Sequence, residues 1–353
     1  MTTVEPLSRE LLFIHSFGND TSELLPILCN LLAYLAILYS FILFIDYLYI
    51  VVGRCFHHMR GFAFSPGHVT GFVQFPIPNN DPMLNGSLGA GFSISNGVRT
   101  NVNVERSDRK NFSIHINGKY VDNAEVSKYV IDEYLSILNK NYDVDVEHKF
   151  DIPIGYGLGS SGAAALSLSY ALNEALGRPF SNVEAAQIAH KADFACRCGV
   201  GTVIAEFHGG FEMRLGAGAP GIGMIEKIPI YDRTAVLFCI APVSTKEFLT
   251  NKVQLINGLG GKMLSKLVKS RSIDDFMFLS LEFAKSIGFM SNRCKQVIDD
   301  LLSNGYTAST AMFGETIFTI VKNDDVDNVK KVMGKYDGNM LICDIDNYGA
   351  RIC

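Results

Sequence analysis

The sequence has no run of basic residues. Its 36 aspartates and glutamates outnumber its 31 lysines and arginines, which gives a net charge of −5 at pH 7. Proteins that bind nucleic acid need a clustered positive surface to meet the phosphate backbone. The composition therefore predicts that nucleic acid is not a partner. With 353 residues and 48% hydrophobic content, the chain is long enough to bury a large core and to form two lobes.

The eight cysteines are scattered and include no Cys-x-x-Cys pair. Scattered cysteines suit a reducing compartment, whereas small secreted scaffolds use cysteine as a disulfide framework. Cys196 and Cys198 resemble half of a metal site, but no second Cys/His pair has the spacing of zinc ligands. We therefore predict neither a disulfide framework nor a cysteine-bound metal.

Charge is absent from Leu24 to Ile45, a segment long enough to cross a bilayer. The preceding residues are acidic and no small-residue cleavage site follows, which argues against a secretory signal peptide. Three explanations stay open for this N-terminal extension, residues 1–58: a translation start that is really Met59, a membrane anchor, or an apolar helix of a soluble protein. The basic residues Arg54 and Arg60 would leave the rest of an anchored chain in the cytoplasm, so the expected location is cytoplasmic.

The chain also lacks a Walker A loop, because no Gly-Lys-Ser/Thr ends its glycine-rich segment. That segment, Pro153 to Ala165, reads PIGYGLGSSGAAA and does not open a dinucleotide-binding fold. Its glycines allow backbone N–H groups to approach an anion closely. The alanine-rich sequence that follows predicts a helix, whose N-terminus favours phosphate. We therefore predict a nucleotide-phosphate loop, with Ser160 and Ser161 at its junction with the helix.

From Gly61 onward the alternation of strand and helix patterns indicates an α+β fold. The pattern predicts a first strand interrupted by a Pro-Gly turn at Pro66 and glycine-rich strands from Gly199 to Arg214. Helices are expected at about Ala164–Leu176 and Ile273–Ile287, among others. The predicted lobes are residues 59–228 and 229–353.

The order Pro-x-Gly-x-Gly-Leu-Gly-Ser-Ser resembles the second motif of the GHMP small-molecule kinases, which surrounds the phosphates of ATP. SPGHVTGF (Ser65 to Phe72) resembles their first segment. TAMFGETIF (Thr310 to Phe318) stands where their third segment lies, with only Gly314 of the usual glycines. SPGHVTGF, GSLGAGFSIS and GGFEMRLGAGAPG together are similar to archaeal pantoate kinases. The resemblance covers roughly Gly61 to the C-terminus. It implies the GHMP kinase fold, with a ribosomal protein S5 domain 2-like N-terminal lobe and a split β-α-β C-terminal lobe.

The resemblance implies ATP and Mg²⁺ as cofactors. The residues implied to contact the nucleotide are Pro153, Gly155, Gly157, Leu158, Gly159, Ser160, Ser161, Gly162 and Ala163. Ser161 and Asp193 fall where the family holds Mg²⁺. Thr202 stands where a catalytic aspartate is expected, and a threonine cannot act as a general base near neutral pH. Phosphoryl transfer can proceed largely by positioning and charge neutralisation; alternatively, Asp193 could take the substrate proton.

The closer resemblance implies phosphorylation of the 4-hydroxyl of (R)-pantoate, giving (R)-4-phosphopantoate for coenzyme A synthesis. It places Ser87, His190, Arg214 and Thr245 at the substrate, with Arg214 pairing with the carboxylate through its fork of donors. His68 is expected to line the cleft. Two other functions stay open: a GHMP kinase for homoserine, mevalonate or a related alcohol, and a membrane-tethered nucleotide sensor without activity. The sequence leaves open whether the protein forms a homodimer.

Overall fold

The computed structural model describes residues 24–55, 59–196, 198–199, 201–243 and 253–353. Within the first range, side chains are described for residues 30–45. The chain divides into two compact units, residues 1–57 and residues 58–353.

The first unit contains one described helix, α1 (Leu24–Cys55). The described side chains of this helix are exposed. Across the described parts of the chain, no helix combines the length and the apolar character needed to span a bilayer.

The second unit contains a large sheet whose strands come mostly from residues 59–228. They are β1 (Met59–Gln74), β2 (Leu88–Arg106), β3 (Asn111–Ile116), β4 (Lys119–Tyr120), β5 (Tyr142–Phe150), β6 (Phe211–Gly216), β7 (Met224–Ile228) and the returning β12 (Arg351–Ile352). Their order is β12-β1-β2-β5-β3-β4, with β6 added to β2 and β7 added to β6. Only β3 and β5 pair in parallel among these described strands.

Four helices accompany this sheet along the chain: α2 (Glu125–Leu138), α3 (Ser160–Ala175), α4 (Asn182–Ala195) and α5 (Thr202–His208). Helix α3 is buried along nearly its whole length and lies on β1 and β2. Its small residues allow this close approach: a Cβ at Gly61 of β1 would overlap the backbone carbonyl of Ala171. The helix that follows the glycine loop is therefore fixed rigidly against the sheet.

A second, antiparallel sheet has the order β11-β8-β10-β9. Its strands are β8 (Arg233–Pro242), β9 (Ser309–Thr310), β10 (Gly314–Lys322) and β11 (Asn339–Asp344). The accompanying helices are α6 (Val253–Ser270), α7 (Ile273–Ile287), α8 (Asn292–Ser303) and α9 (Val326–Met333). The lobe boundary predicted after residue 228 falls between β7 and β8, although residues 58–353 form one compact unit.

Phe276 of α7 lies in the core where side chains from the two sheets meet. Its ring centroid is 5.0 Å from that of Phe211 and 6.2 Å from that of Phe92, both in the large sheet. It is also 6.1 Å from Phe318 of the smaller sheet. All four rings are fully buried, so burial of aromatic surface holds the two sheets together.

Two expectations from the sequence are wrong. Residues 202–208 form helix α5 rather than part of a strand. The segment is short, is rich in β-branched residues and has two glycines close to each end. Local periodicity cannot separate such a short buried helix from a strand. The Pro-Gly turn is also absent: β1 continues through Pro66 and Gly67 with only a shift of register against β2. The extra residues lie on β2: Pro66 pairs with Gly97 and Gly67 with Ile94, so Ser95 and Asn96 have no partner on β1. Such a β-bulge does not end the pairing.

Candidate functional site

The glycine loop between β5 and α3 takes the left-handed backbone conformation three times. Gly155, Gly157 and Gly159 have φ values of 84°, 76° and 70°, which side chains with a Cβ adopt only at a cost. A Cβ at Gly157 would also lie 2.5 Å from the carbonyl oxygen of Met312. The loop is therefore both left-handed and closely packed, which explains why glycine recurs at every second position.

The loop is held in place by residues far away in the sequence. Thr316 Oγ1 donates a hydrogen bond of 2.7 Å to the carbonyl of Tyr156. Val243 N donates to the carbonyl of Gly155 at 3.1 Å. The segment that contains Gly314 thus packs directly on the loop. A cavity opens beside the loop, and Met312 and Phe313 line it together with Gly155, Gly157 and Gly159.

The start of α3 presents Ser160 and Ser161 to this cavity. The N-cap is Gly159, which has no side chain to satisfy the first N–H groups of the helix. Those groups are therefore available to an anion at the positive end of the helix. Leu158 and Ala163 are buried beneath the loop, and Ala163 N donates to the carbonyl of Gly159 at 3.0 Å.

Asp193 of α4 lies behind Ser161, and Ser161 Oγ donates to its Oδ1 at 2.9 Å. Burial raises the pKa of Asp193 to about 6, while the hydrogen bond from Ser161 acts in the opposite direction. A carboxyl with this environment gains from any nearby positive charge. The two residues predicted to hold Mg²⁺ are therefore hydrogen-bonded neighbours in the structure.

Thr202 is the first residue of α5 and lines the cavity. One helical turn later, Glu206 is fully buried, and neither of its carboxylate oxygens has a hydrogen-bond partner among the described residues. A Cβ at Gly162 would lie 2.6 Å from Glu206 Oε2 and 2.9 Å from Thr202 Oγ1. Burial, with Asp193 and Glu212 nearby, raises the pKa of Glu206 well above its usual value.

Arg214 of β6 also reaches the cavity, although it is only 2% exposed. Its Nη1 donates to Glu212 Oε1 at 2.5 Å, and its Nε has no partner among the described residues. The same carboxylate oxygen lies 2.9 Å from His68 Nε2. Burial lowers the pKa of Arg214, and the charge of Glu212 opposes that shift. Part of the guanidinium fork is therefore already paired within the protein.

Gly91 leaves space for the side chains of His68, Glu212 and Arg214. It faces Glu212 on the neighbouring strand, and a Cβ there would lie 2.6 Å from His68 Cε1 and Nε2. Any side chain at position 91 would displace the imidazole ring. The Gly-x-Gly spacing of GSLGAGFSIS thus has a local structural reason.

The remaining residues predicted to bind substrate do not all line the cavity. Ser87 is buried to 4% exposure and lines the cavity. His190 is not among the described lining residues; its Nε2 lies 3.2 Å from the carbonyl of Pro82, and burial lowers its pKa. Thr245 lies outside the described residues.

Sequence reasoning gave no role to Glu212, Glu206 or Thr70. Glu212 could have been found, because residues two apart on a strand share a face and Arg214 was already a candidate. Glu206 was hidden by the wrong strand prediction, since only a helix places it one turn from Thr202. Thr70 could have been found in the same way as Glu212, because it lies in SPGHVTGF two residues from His68.

Comparison with known proteins shows which family the chain belongs to. Residues 124–210 match the family model described as the GHMP kinases N terminal domain. A pantoate kinase of Methanocaldococcus jannaschii is 34% identical over 285 residues, covering 80% of this chain and 99% of that protein. A pantoate kinase of Thermococcus kodakarensis is 31% identical over 280 residues, covering 77% and 91%.

Solved structures with the same fold cover 84% of this chain. A phosphotransferase related to the CoA biosynthesis pathway has a TM-score of 0.77 at 28% identity, with 99% of its chain covered. A homoserine kinase from Cytophaga hutchinsonii has a TM-score of 0.60 at 18% identity, with 98% covered. The second likeness shows the fold alone.

Proposed function

Because this chain belongs to the GHMP kinases and, within them, to the pantoate kinases, we propose that it transfers the γ-phosphoryl group of ATP to the 4-hydroxyl of (R)-pantoate. The product is (R)-4-phosphopantoate, an intermediate for coenzyme A synthesis. The observation that carries this proposal is a buried arginine in the same cavity as a phosphate-binding loop. Such a pair suits a substrate with a carboxylate at one end and a phosphate acceptor at the other.

Arg214 supports recognition of the carboxylate. A buried guanidinium keeps its charge, and charge-assisted hydrogen bonds are strong where water is excluded. Its Nη1 is committed to Glu212, so the substrate would use Nε and the remaining donors. Ser87 lines the same cavity and offers a hydroxyl to the polar edge of pantoate. Roles for His190 and Thr245 in substrate binding stay predictions.

The glycine loop supports ATP binding. The uncapped N-terminus of α3 offers N–H groups to the triphosphate, and Ser160 is placed to donate its hydroxyl. Since Gly155, Gly157 and Gly159 carry no side chains, the phosphates could approach the backbone of the loop directly.

The donor set also fits Mg²⁺. Among the described residues no group of three His, Cys, Asp or Glu side chains gathers as a metal site. A kinase Mg²⁺, however, takes most of its ligands from phosphate oxygens and water. Ser161 and Asp193 offer a hydroxyl and a carboxylate oxygen 2.9 Å apart, and these are the ligands that this cation prefers. When bound, Mg²⁺ would neutralise charge on the transferring phosphoryl group.

An ADP-release assay with the full chain tests the proposal. Pantoate is expected to support ATP-dependent ADP release, with phosphate appearing on its 4-hydroxyl by NMR. Homoserine and mevalonate serve as matched alternative alcohols. ADP release with homoserine or mevalonate, and none with pantoate, would identify that alcohol as the substrate. Nucleotide binding without ADP release in the presence of any of the three would favour the sensor without activity.

A further inference from the structure

Three side chains form a hydrogen-bonded chain beside the glycine loop. His68 Nε2 lies 2.9 Å from Glu212 Oε1, and His68 Nδ1 lies 3.3 Å from Thr70 Oγ1. A carboxylate can only accept a hydrogen bond, so Nε2 is the donor to Glu212. In the neutral ring Nδ1 is then the acceptor, and the Thr70 hydroxyl donates to it. The chain therefore has a direction, from Thr70 towards Glu212.

Thr70 is the most exposed member of this chain. Glu212 is 0% exposed and His68 is 1% exposed, whereas Thr70 is half-buried. Thr70 and His68 line the cavity, and Glu212 lies behind them. A small molecule in the cavity would therefore reach Thr70 Oγ1, and through it the imidazole.

The chain lies between the two ends of the proposed substrate. On one side, His68 N donates to the carbonyl of Leu158 in the glycine loop at 3.0 Å. On the other side, Arg214 Nη1 is 3.4 Å from His68 Nε2. A substrate held by its carboxylate at Arg214, with its hydroxyl directed to the loop, would bring that hydroxyl towards Thr70.

The attacking hydroxyl loses its proton during phosphoryl transfer, and a group in the site that accepts this proton would assist the step. Thr202 occupies the position where a carboxylate is expected, and its hydroxyl cannot accept a proton near neutral pH. Asp193 is engaged by Ser161 and is not among the described residues that line the cavity. The histidine–carboxylate pair is the remaining arrangement of acid and base that opens, through Thr70, into the described cavity.

We propose that Thr70, His68 and Glu212 form a proton relay that replaces the carboxylate expected at position 202. The inference rests on the proposed kinase function. As the acceptor oxygen attacks the γ-phosphorus, its proton passes to Thr70 Oγ1 and the Thr70 proton passes to His68 Nδ1. The new oxygen–phosphorus bond forms while the bond from phosphorus to the β,γ-bridging oxygen breaks, and ADP leaves with that electron pair. Glu212 stabilises the imidazolium, which returns its proton through Thr70 to solvent.

The test uses His68→Gln, Thr70→Val and the double variant in the full chain. Glutamine keeps an N–H donor towards Glu212 but cannot accept a proton. Each single variant is expected to lower kcat about 100-fold, the lower end of the effect of general-base catalysis. The KM values for pantoate and ATP should stay within about threefold, because the relay acts only in the transition state. Calorimetry with pantoate and a non-hydrolysable ATP analogue checks that binding is retained.

Two comparisons separate a relay from a structural role. Thr70→Ser, which keeps the hydroxyl, is expected to retain kcat within about threefold of the wild type. The double variant is expected to be about as slow as the slower single variant, because the loss of either residue already interrupts the relay. Thermal unfolding verifies that each variant is folded; if Thr70→Val is not, His68→Gln and Thr70→Ser still decide.

The relay is overturned if His68→Gln keeps kcat near the wild-type value, if Thr70→Ser is as slow as a variant without the hydroxyl, or if the two losses multiply. Failure of the proposed function looks different, because the wild type itself would then release no ADP with pantoate. The same variants would in that case be measured with whichever alcohol supports release. If none does, the relay falls together with the kinase.

Discussion

At the scale of single residues, the site combines charged groups that are nearly all out of contact with water. Asp193, Glu206, Glu212 and Arg214 are each at most 2% exposed. Buried charge is costly unless it is paired. Glu212 is paired with Arg214 and Asp193 accepts from Ser161, whereas Glu206 has no partner among the described residues and is the group expected to reduce stability.

The pair of Ser161 and Asp193 should affect turnover more than binding. Ser161→Ala and Asp193→Asn are each expected to lower kcat by a factor of about 100 or more, since groups that stabilise developing charge act in the transition state. The KM for pantoate should change much less. Steady-state kinetics over a range of Mg²⁺ concentrations measures both; near-normal turnover in Asp193→Asn would assign the metal to other residues.

Arg214 should decide the use of pantoate. Arg214→Ala leaves the substrate carboxylate without a partner and Glu212 with His68 alone, which costs roughly 2–5 kcal/mol, mostly as weaker use of pantoate with ATP binding intact. Arg214→Lys should rescue poorly, because an ammonium group cannot serve Glu212 and the substrate with one planar fork. Kinetics with pantoate varied at saturating ATP give the answer. Wild-type use of pantoate by Arg214→Ala would mean that another residue holds the carboxylate or that pantoate is not the substrate.

Glu206 should make the fold less stable as the pH rises. Its pKa is raised in the folded state by burial, so above about pH 4.5 the unfolded chain has lost this proton while the folded chain keeps it. Stability then falls by up to about 1.4 kcal/mol per pH unit until the folded carboxyl ionises. Glu206→Gln is expected to remove this slope and to stabilise the protein at pH 7.

Denaturant unfolding at pH 5, 6 and 7 measures that slope. Glu282→Gln, which changes an exposed carboxylate on α7, is the matched control and should leave the pH dependence as it is. An unchanged slope in Glu206→Gln would contradict the prediction.

At the scale of elements, function depends on how β10 and the end of β8 pack against the glycine loop. The loop joins β5 to α3, but its backbone is held by β10 and by the residue that follows β8. The loop conformation is therefore a property of three elements together. Changes that disturb this packing should reduce nucleotide binding even where they touch no phosphate.

Gly157→Ala tests this packing against a matched control. Gly157 and Gly118 have nearly the same backbone, with φ of 76° and 75°. A Cβ at Gly157 would meet the carbonyl of Met312, whereas one at Gly118 would meet nothing within 4 Å. Gly118→Ala should cost only about 1–2 kcal/mol for the left-handed backbone.

Gly157→Ala should cost more than its control and should also weaken ATP binding, because the loop must move. Thermal unfolding and calorimetry with an ATP analogue measure the two effects. Equal losses in both variants would show that close packing at position 157 does not matter.

At the scale of the whole molecule, all buried hydrophobic clusters of the described chain lie in the second unit. Their members belong to residues 58–353. The relatives from Methanocaldococcus jannaschii and Thermococcus kodakarensis match over about the same length of chain.

A chain that begins at Met59 is expected to fold and to keep full kinase activity. Its Tm and its kcat with pantoate should match those of the full chain, measured side by side in detergent-free and detergent-containing buffer. Loss of activity in the shorter chain would give residues 1–58 a role in catalysis. Mass spectrometry of the native protein decides the start, because a peptide from before Met59 would rule out translation from that methionine.

The sequence alone was sufficient for the family, the glycine loop and most helices. These features are local: repeated glycines permit a left-handed backbone, and an alanine-rich segment after them favours a helix. Helix α7 was predicted with the same bounds as observed, Ile273–Ile287, because its apolar spacing and its serine N-cap lie within one continuous segment.

The tertiary structure alone decided which polar groups meet. His68 and Glu212 are 144 residues apart in sequence, and Thr316 is 160 residues from the loop carbonyl that it binds. No local pattern encodes such distances. Helix α5 was mistaken for a strand because its burial, rather than its periodicity, selects the conformation. The sequence therefore predicted where phosphate would bind, and only the pairing of β1, β2 and β6 within the large sheet brought the members of the proposed relay together.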